Sequence, residues 1–301
     1  MSFKKHEYYT LVQRANDLVP GFMAAYQQFE QKATISQSSN STLTNYGRSV
    51  AQVALHFGKL PHDISIDDIN TYLYHLCVSD NKSEGYFKQT VYGLRYWLRL
   101  FGCNETALRM PPIKKKSSLP EVLSKAECRL LFKAPASLKH RFLLAFAYST
   151  GVRMNELRLI KINDVDTDRL QVHVRMGKGK KDRYVVLAKC IAGRLAHYLS
   201  EVKPVTYLFE GLTPAQPMGT RSIQYIVNEA VEKADIHKNV SLHTLRHSFA
   251  THLLEDGVDI YSIQKLLGHS HIQTTIIYLH IAQVKPSLAH SPLDTLYPGV
   301  A

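Results

Sequence analysis

The chain has 301 residues, room for two domains of ordinary size, and 45% of them are hydrophobic, enough for a substantial core. A formal net charge of +12 favours a polyanionic partner, nucleic acid foremost, and no run of about 18 apolar residues exists to span a membrane. Cys77, Cys103, Cys128 and Cys190 are widely spaced without a C-x-x-C pair, so neither a disulfide framework nor a zinc site is suggested, and a reducing cytosol fits.

Residues 1–110 read as a helical N-terminal domain. Met1 to Glu7 lack the apolar stretch of a signal peptide. Leu11 to Gln31 carries apolar residues at mixed three and four spacing and is expected as a helix. A polar break over Gln37 to Ser41 precedes a helix capped by Thr42 and running to about Phe57. Ser65 to Asp68 resembles a capping box for a helix over Ile66 to Val78. Gly85 to Phe101 mixes Tyr86, Phe87, Tyr92, Tyr96 and Trp97 with Lys88, Arg95 and Arg99. Two readings stand there. One is a groove for nucleic acid; the other is an amphipathic helix with an aromatic core face and solvated charges.

Residues 111–122 form a basic linker. Pro111 and Pro112 break helix. Lys114, Lys115 and Lys116 repel one another and favour an extended chain. They either track a DNA backbone, where phosphate neutralisation releases counterions, or serve as an ordinary solvated connection. Residues 1–118 hold 14 Lys and Arg against 9 Asp and Glu, and the remainder holds 23 against 16. Both parts are basic, so a DNA-contacting surface can extend over both.

Residues 123–301 alternate helical and β-like patterns. Ser124 to Glu127 is a capping box for a helix through Phe132, and Leu138 to Ser149 is a helix with Gly151 as its C-cap. Arg153 to Ile160 follows. The Gly-rich basic turn Gly177-Lys178-Gly179-Lys180-Lys181-Asp182-Arg183 lies between β-like runs, Leu170 to Met176 and Tyr184 to Leu187. Helices are expected over Lys189 to Ser200, Arg221 to Lys233, Leu242 to Glu255 behind the N-cap Ser241, Ile260 to Leu267, and Thr274 to Ile281. The expected fold class is α+β, mainly α with a small β-sheet.

The chemistry concentrates late in the chain. His243 and Arg246 are three apart in a helical register and share a face. Leu267-Gly268-His269 and Thr274-Thr275-Ile-Ile-Tyr278 follow, and Arg153 opens a helix upstream. Arg grips phosphate oxygens bidentately, His moves a proton near neutral pH, and Tyr can act as a nucleophile. Together these suggest chemistry on a phosphodiester. A metal is disfavoured, because His243 and His247 flank no carboxylate and Arg246 would repel a cation. No Walker-type loop is present, so no nucleotide is implied.

In this order of residues the chain resembles the tyrosine recombinase (phage integrase) family, of the simple two-domain bacterial or phage kind. The resemblance spans roughly Leu119 to Ile281. It implies catalytic roles for Arg153, Lys178, His243, Arg246, His269 and Tyr278. Arg153 and Arg246 would clamp non-bridging oxygens. Lys178 would protonate the leaving 5′-oxygen, with Lys180 and Lys181 as competitors. His243 would accept the phenolic proton and His269 would bond a phosphate oxygen. Tyr278 would form a 3′-phosphotyrosine bond. His247, His252 and His280 are expected to be structural or to support the catalytic groups, and Lys180, Lys181 and Arg183 join the linker lysines as DNA contacts.

The resemblance further implies no cofactor, double-stranded DNA sites as substrate, a homodimer on one site and a homotetramer on two paired sites, and strand exchange through a Holliday junction. The N-terminal domain would be a core DNA-binding domain, and the tail Leu279 to Ala301 either docks on a neighbouring protomer or folds back. The competing readings are a type IB topoisomerase, which rejoins the original strand, and a non-cleaving DNA-binding accessory protein.

Overall fold

A computed structural model describes residues 10–36, 40–78, 84–109, 119–175 and 182–282. The chain divides into two compact units, Met1–Lys116 and Ser117–Ala301.

The described part of the first unit is helical. Its helices are α1 (Leu11–Leu18), α2 (Phe22–Ile35), α3 (Asn40–Phe57), α4 (Ile66–Val78) and α5 (Glu84–Leu100). The stretch expected as a single helix from Leu11 is therefore split. Pro20 holds Val19 in an extended conformation, and Gly21 adopts φ +77°, a left-handed geometry that only glycine takes freely. α4 runs over the span its capping box predicts.

The two readings of the Gly85 to Phe101 segment separate residue by residue. Phe87 and Trp97 are buried. Trp97 stacks on Phe22 at 5.8 Å and donates from Nε1 to Nδ1 of His62 at 3.1 Å. Its basic residues are internally engaged: Lys88 with Glu84, Arg95 with the Leu108 carbonyl, and Arg99 with Glu105. The aromatic core reading holds for Phe87 and Trp97, whereas Tyr92 remains exposed.

The second unit begins with α6 (Lys125–Lys133), whose capping box joins Ser124 and Glu127, then α7 (Leu138–Thr150) and α8 (Met154–Leu159). Gly151 ends α7 at φ +59°, and a Cβ there would lie 2.4 Å from the Phe249 ring. No larger residue fits without displacing that ring.

Among the described residues three antiparallel strands follow, β1 (Val165–Asp166), β2 (Gln171–Val174) and β3 (Arg183–Val186), in that order across the sheet. β1 is too short to have left a sequence pattern. Val172 pairs with Val185 and Val174 with Arg183, which places Arg183 at the start of the second hairpin strand. Next come α9 (Lys189–Val202), α10 (Thr220–Lys233), α11 (Leu242–Glu255), α12 (Ile260–Leu267) and α13 (Gln273–Ile276). The final expected helix tightens into a 3₁₀ turn over Ile277–His280. No helix among the described residues is long and apolar enough to cross a membrane.

α11 is the axis of this unit. Leu242, Leu245, Phe249, Ala250 and Leu254 are buried, and so are Thr244, Arg246, Ser248, Thr251 and His252. His243 and Glu255 stay exposed, while polar side chains buried along the helix call for partners within the protein. Ser248 accepts from the Leu123 amide at 2.9 Å and donates to the Thr244 carbonyl at 2.8 Å. His252 bonds Tyr148 at 2.8 Å, the structural use expected of it.

Candidate active site

Arg246 reaches its position from the second turn of α11, behind the N-cap Ser241. Its side chain is buried and donates to two carbonyls, Gly151 at 2.7 Å and Leu267 at 2.6 Å. Arg153 stands at the N-cap of α8 and donates from Nη2 to the Gly268 carbonyl at 3.1 Å. Two arginines far apart in sequence thus grip consecutive carbonyls at the end of α12. Those carbonyls are the electronegative terminus of a helix and have no backbone partner among the described residues.

A third guanidinium completes the set. Arg183 donates from Nε to the Leu266 carbonyl at 3.1 Å. Leu266, Leu267 and Gly268 therefore each take one arginine. Glu156, a turn beyond Arg153, balances part of this charge. It accepts from Arg153 Nη1 at 2.9 Å and the Arg153 amide at 2.8 Å, and from both terminal nitrogens of Arg183 at 2.9 and 2.8 Å. Burial pushes the Glu156 carboxyl up, but its bonds from Arg183 and Arg153 outweigh that and hold it down at about 2. Burial and the Arg153 charge lower Arg246 to about 10, which leaves it charged at neutral pH.

The histidines of this region are held neutral. Burial, and then the charges of Arg246 and Arg153, push His269 down to about 3. Its Nδ1 lies 2.9 Å from the hydroxyl of buried Thr275. His243 keeps an exposed side chain, yet partial desolvation, Arg246 and Arg153 still lower it. His247 falls to about 4 through burial, His243 and Arg246.

Tyr278 is 1% exposed and packs with Phe249, Ala250, Leu254, Ile263 and Leu267. Burial raises its phenol, while Arg246 and Arg153 pull it down, so both guanidinium charges reach the hydroxyl electrostatically. That hydroxyl lies 3.0 Å from Nδ1 of His247. In the tautomer that carries its proton on Nε2, His247 accepts at Nδ1 and Tyr278 donates.

The structure thus brings together Arg153, Arg246, His269 and Tyr278, with His243 on the exposed side of the same helix as Arg246. Lys178, Lys180, Lys181, Lys114, Lys115 and Lys116 lie outside the described residues, as does the tail beyond 282. Two expectations change. Arg183, expected on the DNA backbone, is 12% exposed and has all three kinds of donor nitrogen committed within the unit. His247, expected to be structural or to support a catalytic group, touches the hydroxyl of the candidate nucleophile in place of His243. The sequence carried a signal for the second, since His247 directly follows Arg246 on one helix.

Comparison with known proteins gives the same direction. Residues 121–284 match the profile of the Phage integrase family. Tyrosine recombinase XerA of Thermococcus kodakarensis is 34% identical over 245 residues, covering 74% of this chain and 86% of that protein. A tyrosine recombinase of Thermosipho africanus is 31% identical, covering 83% of this chain and 92% of its own. The fold resembles that in the crystal structure of a lambda integrase tetramer bound to a Holliday junction, with a TM-score of 0.68 at 17% identity, over 91% of this chain and 82% of the other.

Proposed function

The chain belongs to the phage integrase family of tyrosine recombinases, and we propose that the arginine-rich centre around Tyr278 breaks and rejoins DNA at specific sites. Tyr278 attacks a DNA phosphate, forming the Oη–phosphorus bond as the bond from phosphorus to the 5′-oxygen breaks. The phenolic proton passes to a neutral histidine, and the leaving oxygen takes a proton from a general acid, for which Lys178 is the candidate. A free 5′-hydroxyl from a partner strand then reverses the chemistry on the new phosphotyrosine. The phosphoester is conserved in the covalent intermediate, so the exchange needs no ATP.

One observation carries this reading. Arg153 and Arg246 bond adjacent carbonyls, Gly268 and Leu267, and both act on the phenol of Tyr278. Fixed cations side by side are what a phosphorane-like transition state requires, because charge builds on its non-bridging oxygens. Glu156 offsets only one of three guanidinium charges, so the centre keeps net positive charge for a phosphate.

The remaining assignments follow from the same reading. The helical region 1–110 is the core DNA-binding domain, 111–122 the basic linker and 123–301 the catalytic domain. Lys114, Lys115, Lys116, Lys180 and Lys181 contact the DNA backbone. The protein acts as a dimer on one site and a tetramer on two, in the cytoplasm.

Plasmids carrying the inverted repeats that flank its gene test the function. Products with exchanged flanking sequences are expected from paired sites. Relaxation of supercoils without exchange would indicate a topoisomerase, and binding without cleavage an accessory protein.

A further inference from the structure

We propose that Arg183 is a positioning residue for the catalytic arginine Arg153, not a contact to the DNA backbone. The inference rests on the reading of Arg153 as a phosphate clamp. Arg183 opens β3, opposite Val174. Its guanidinium covers both oxygens of Glu156, at 2.9 and 2.8 Å, and its Nε covers the Leu266 carbonyl at 3.1 Å. A DNA phosphate reaching this group would have to compete with a bidentate, largely buried carboxylate.

The arrangement has a consequence for Arg153. Glu156 holds that residue from two sides, through the Arg153 amide and Nη1. With Arg183 present, the carboxylate charge is balanced by Arg183, and the charge on Arg153 stays available for a substrate oxygen. Without Arg183, Glu156 and Arg153 would form a closed pair. The carboxylate would neutralise the clamp and draw it away from Gly268. The geometry also explains Gly268. It sits at φ +62°, and a Cβ there would lie 3.0 Å from both Cδ and Nε of Arg183. Any side chain would press on the group that holds the frame.

Arg183 also spans three separate elements. It ties the β2–β3 hairpin to the start of α8, through Glu156, and to the end of α12, through Leu266. The turn between α12 and α13 carries His269. One side chain thus fixes the relative placement of segments that contribute Arg153 and His269.

Arg183→Gln and Arg183→Lys test this in the full chain. DNA affinity would be read by gel shift at several salt concentrations, folding by thermal melting, and cleavage by single-turnover adduct formation on a nicked site. The scissile linkage would be either the natural phosphodiester or a stereodefined methylphosphonate, which lacks one charged oxygen. Arg183→Gln should keep affinity within about threefold with an unchanged salt slope. Its cleavage of the phosphodiester should fall about 100-fold, as expected for a misplaced catalytic group. The deficit should shrink on the methylphosphonate, because the charge that Arg153 would neutralise is gone. Arg183→Lys should fall between, since one ammonium cannot bridge both oxygens and the carbonyl together. It carries the same comparison if Arg183→Gln does not fold.

Affinity and cleavage falling in step, with a shallower salt slope, would make Arg183 a backbone contact after all. An equal deficit on both linkages would make its role merely structural. Normal cleavage by Arg183→Gln overturns this inference alone, whereas no adduct from the unsubstituted protein on either linkage overturns the functional reading with it.

Discussion

The hydroxyl of Tyr278 lies 3.0 Å from Nδ1 of His247, and the two rings are 5.7 Å apart. A neutral imidazole in contact with a protonated phenol is placed to receive its proton. The sequence assigned that task to His243, one turn earlier on α11. Replacing His247 by Leu removes the acceptor. Adduct formation should slow by about 100-fold, the lower range for a lost acid or base, with site affinity preserved. His243→Leu in the same single-turnover assay is the control. A larger loss for His243→Leu, with His247→Leu near normal, returns the role to His243.

Acid should weaken the fold in two overlapping stages. His247 and His269 titrate near 6.5 when unfolded but are held at about 4 and 3 in the folded protein. Below 6.5 the unfolded chain therefore binds protons that the folded chain refuses, and stability falls as pH drops to about 4 for His247 and about 3 for His269. Glu156 adds a second loss only below its ordinary 4.5, continuing to about 2, because its stabilising charge is then removed. Melting temperatures between about pH 7 and pH 5 isolate the histidines. The drop across that window should be smaller in His269→Gln. An unchanged drop would show that this histidine is not held neutral.

Arg153 and Arg246 should matter to the transition state more than to binding. Alanine at either removes stabilisation of about 3 kcal/mol from cleavage, by analogy with a lost oxyanion donor. Affinity should fall far less, since many cations share it. Arg246→Ala should also lower the melting temperature more than Arg153→Ala. It alone leaves two buried carbonyls, Gly151 and Leu267, without their donor. Equal losses in affinity and cleavage would mark both as ordinary backbone contacts.

Helix boundaries with a chemical cause were legible in the sequence. Ser124 and Glu127, Ser65 and Asp68, and Ser241 with Thr244 are local side-chain caps, and α6, α4 and α11 begin where they fall. The break at Pro20-Gly21 was equally local but was overridden by a periodic apolar pattern that runs across it. Candidate catalytic residues were legible through motif order. Their partners were not. The three carbonyls of Leu266, Leu267 and Gly268 are backbone groups, and no side-chain pattern announces them. Arg183 reads as one more cation in a basic turn until the fold sets it against Glu156.

Lys178 can be told from Lys180 and Lys181 by the leaving group. A 5′-bridging phosphorothiolate departs as a thiolate and needs little protonation. Lys178→Ala should cleave the natural ester poorly and the thio ester nearly normally. Rescue of Lys180→Ala or Lys181→Ala instead would move the general acid along the turn.

As the nucleophile, Tyr278 should join covalently to DNA. A nicked suicide substrate containing the protein's own site lets the cleaved 5′ end diffuse away and traps the intermediate. After denaturation, peptide mapping should place the DNA on Tyr278, and Tyr278→Phe should bind the same site without forming an adduct. An adduct that persists in Tyr278→Phe, or that maps to another tyrosine, would contradict the account.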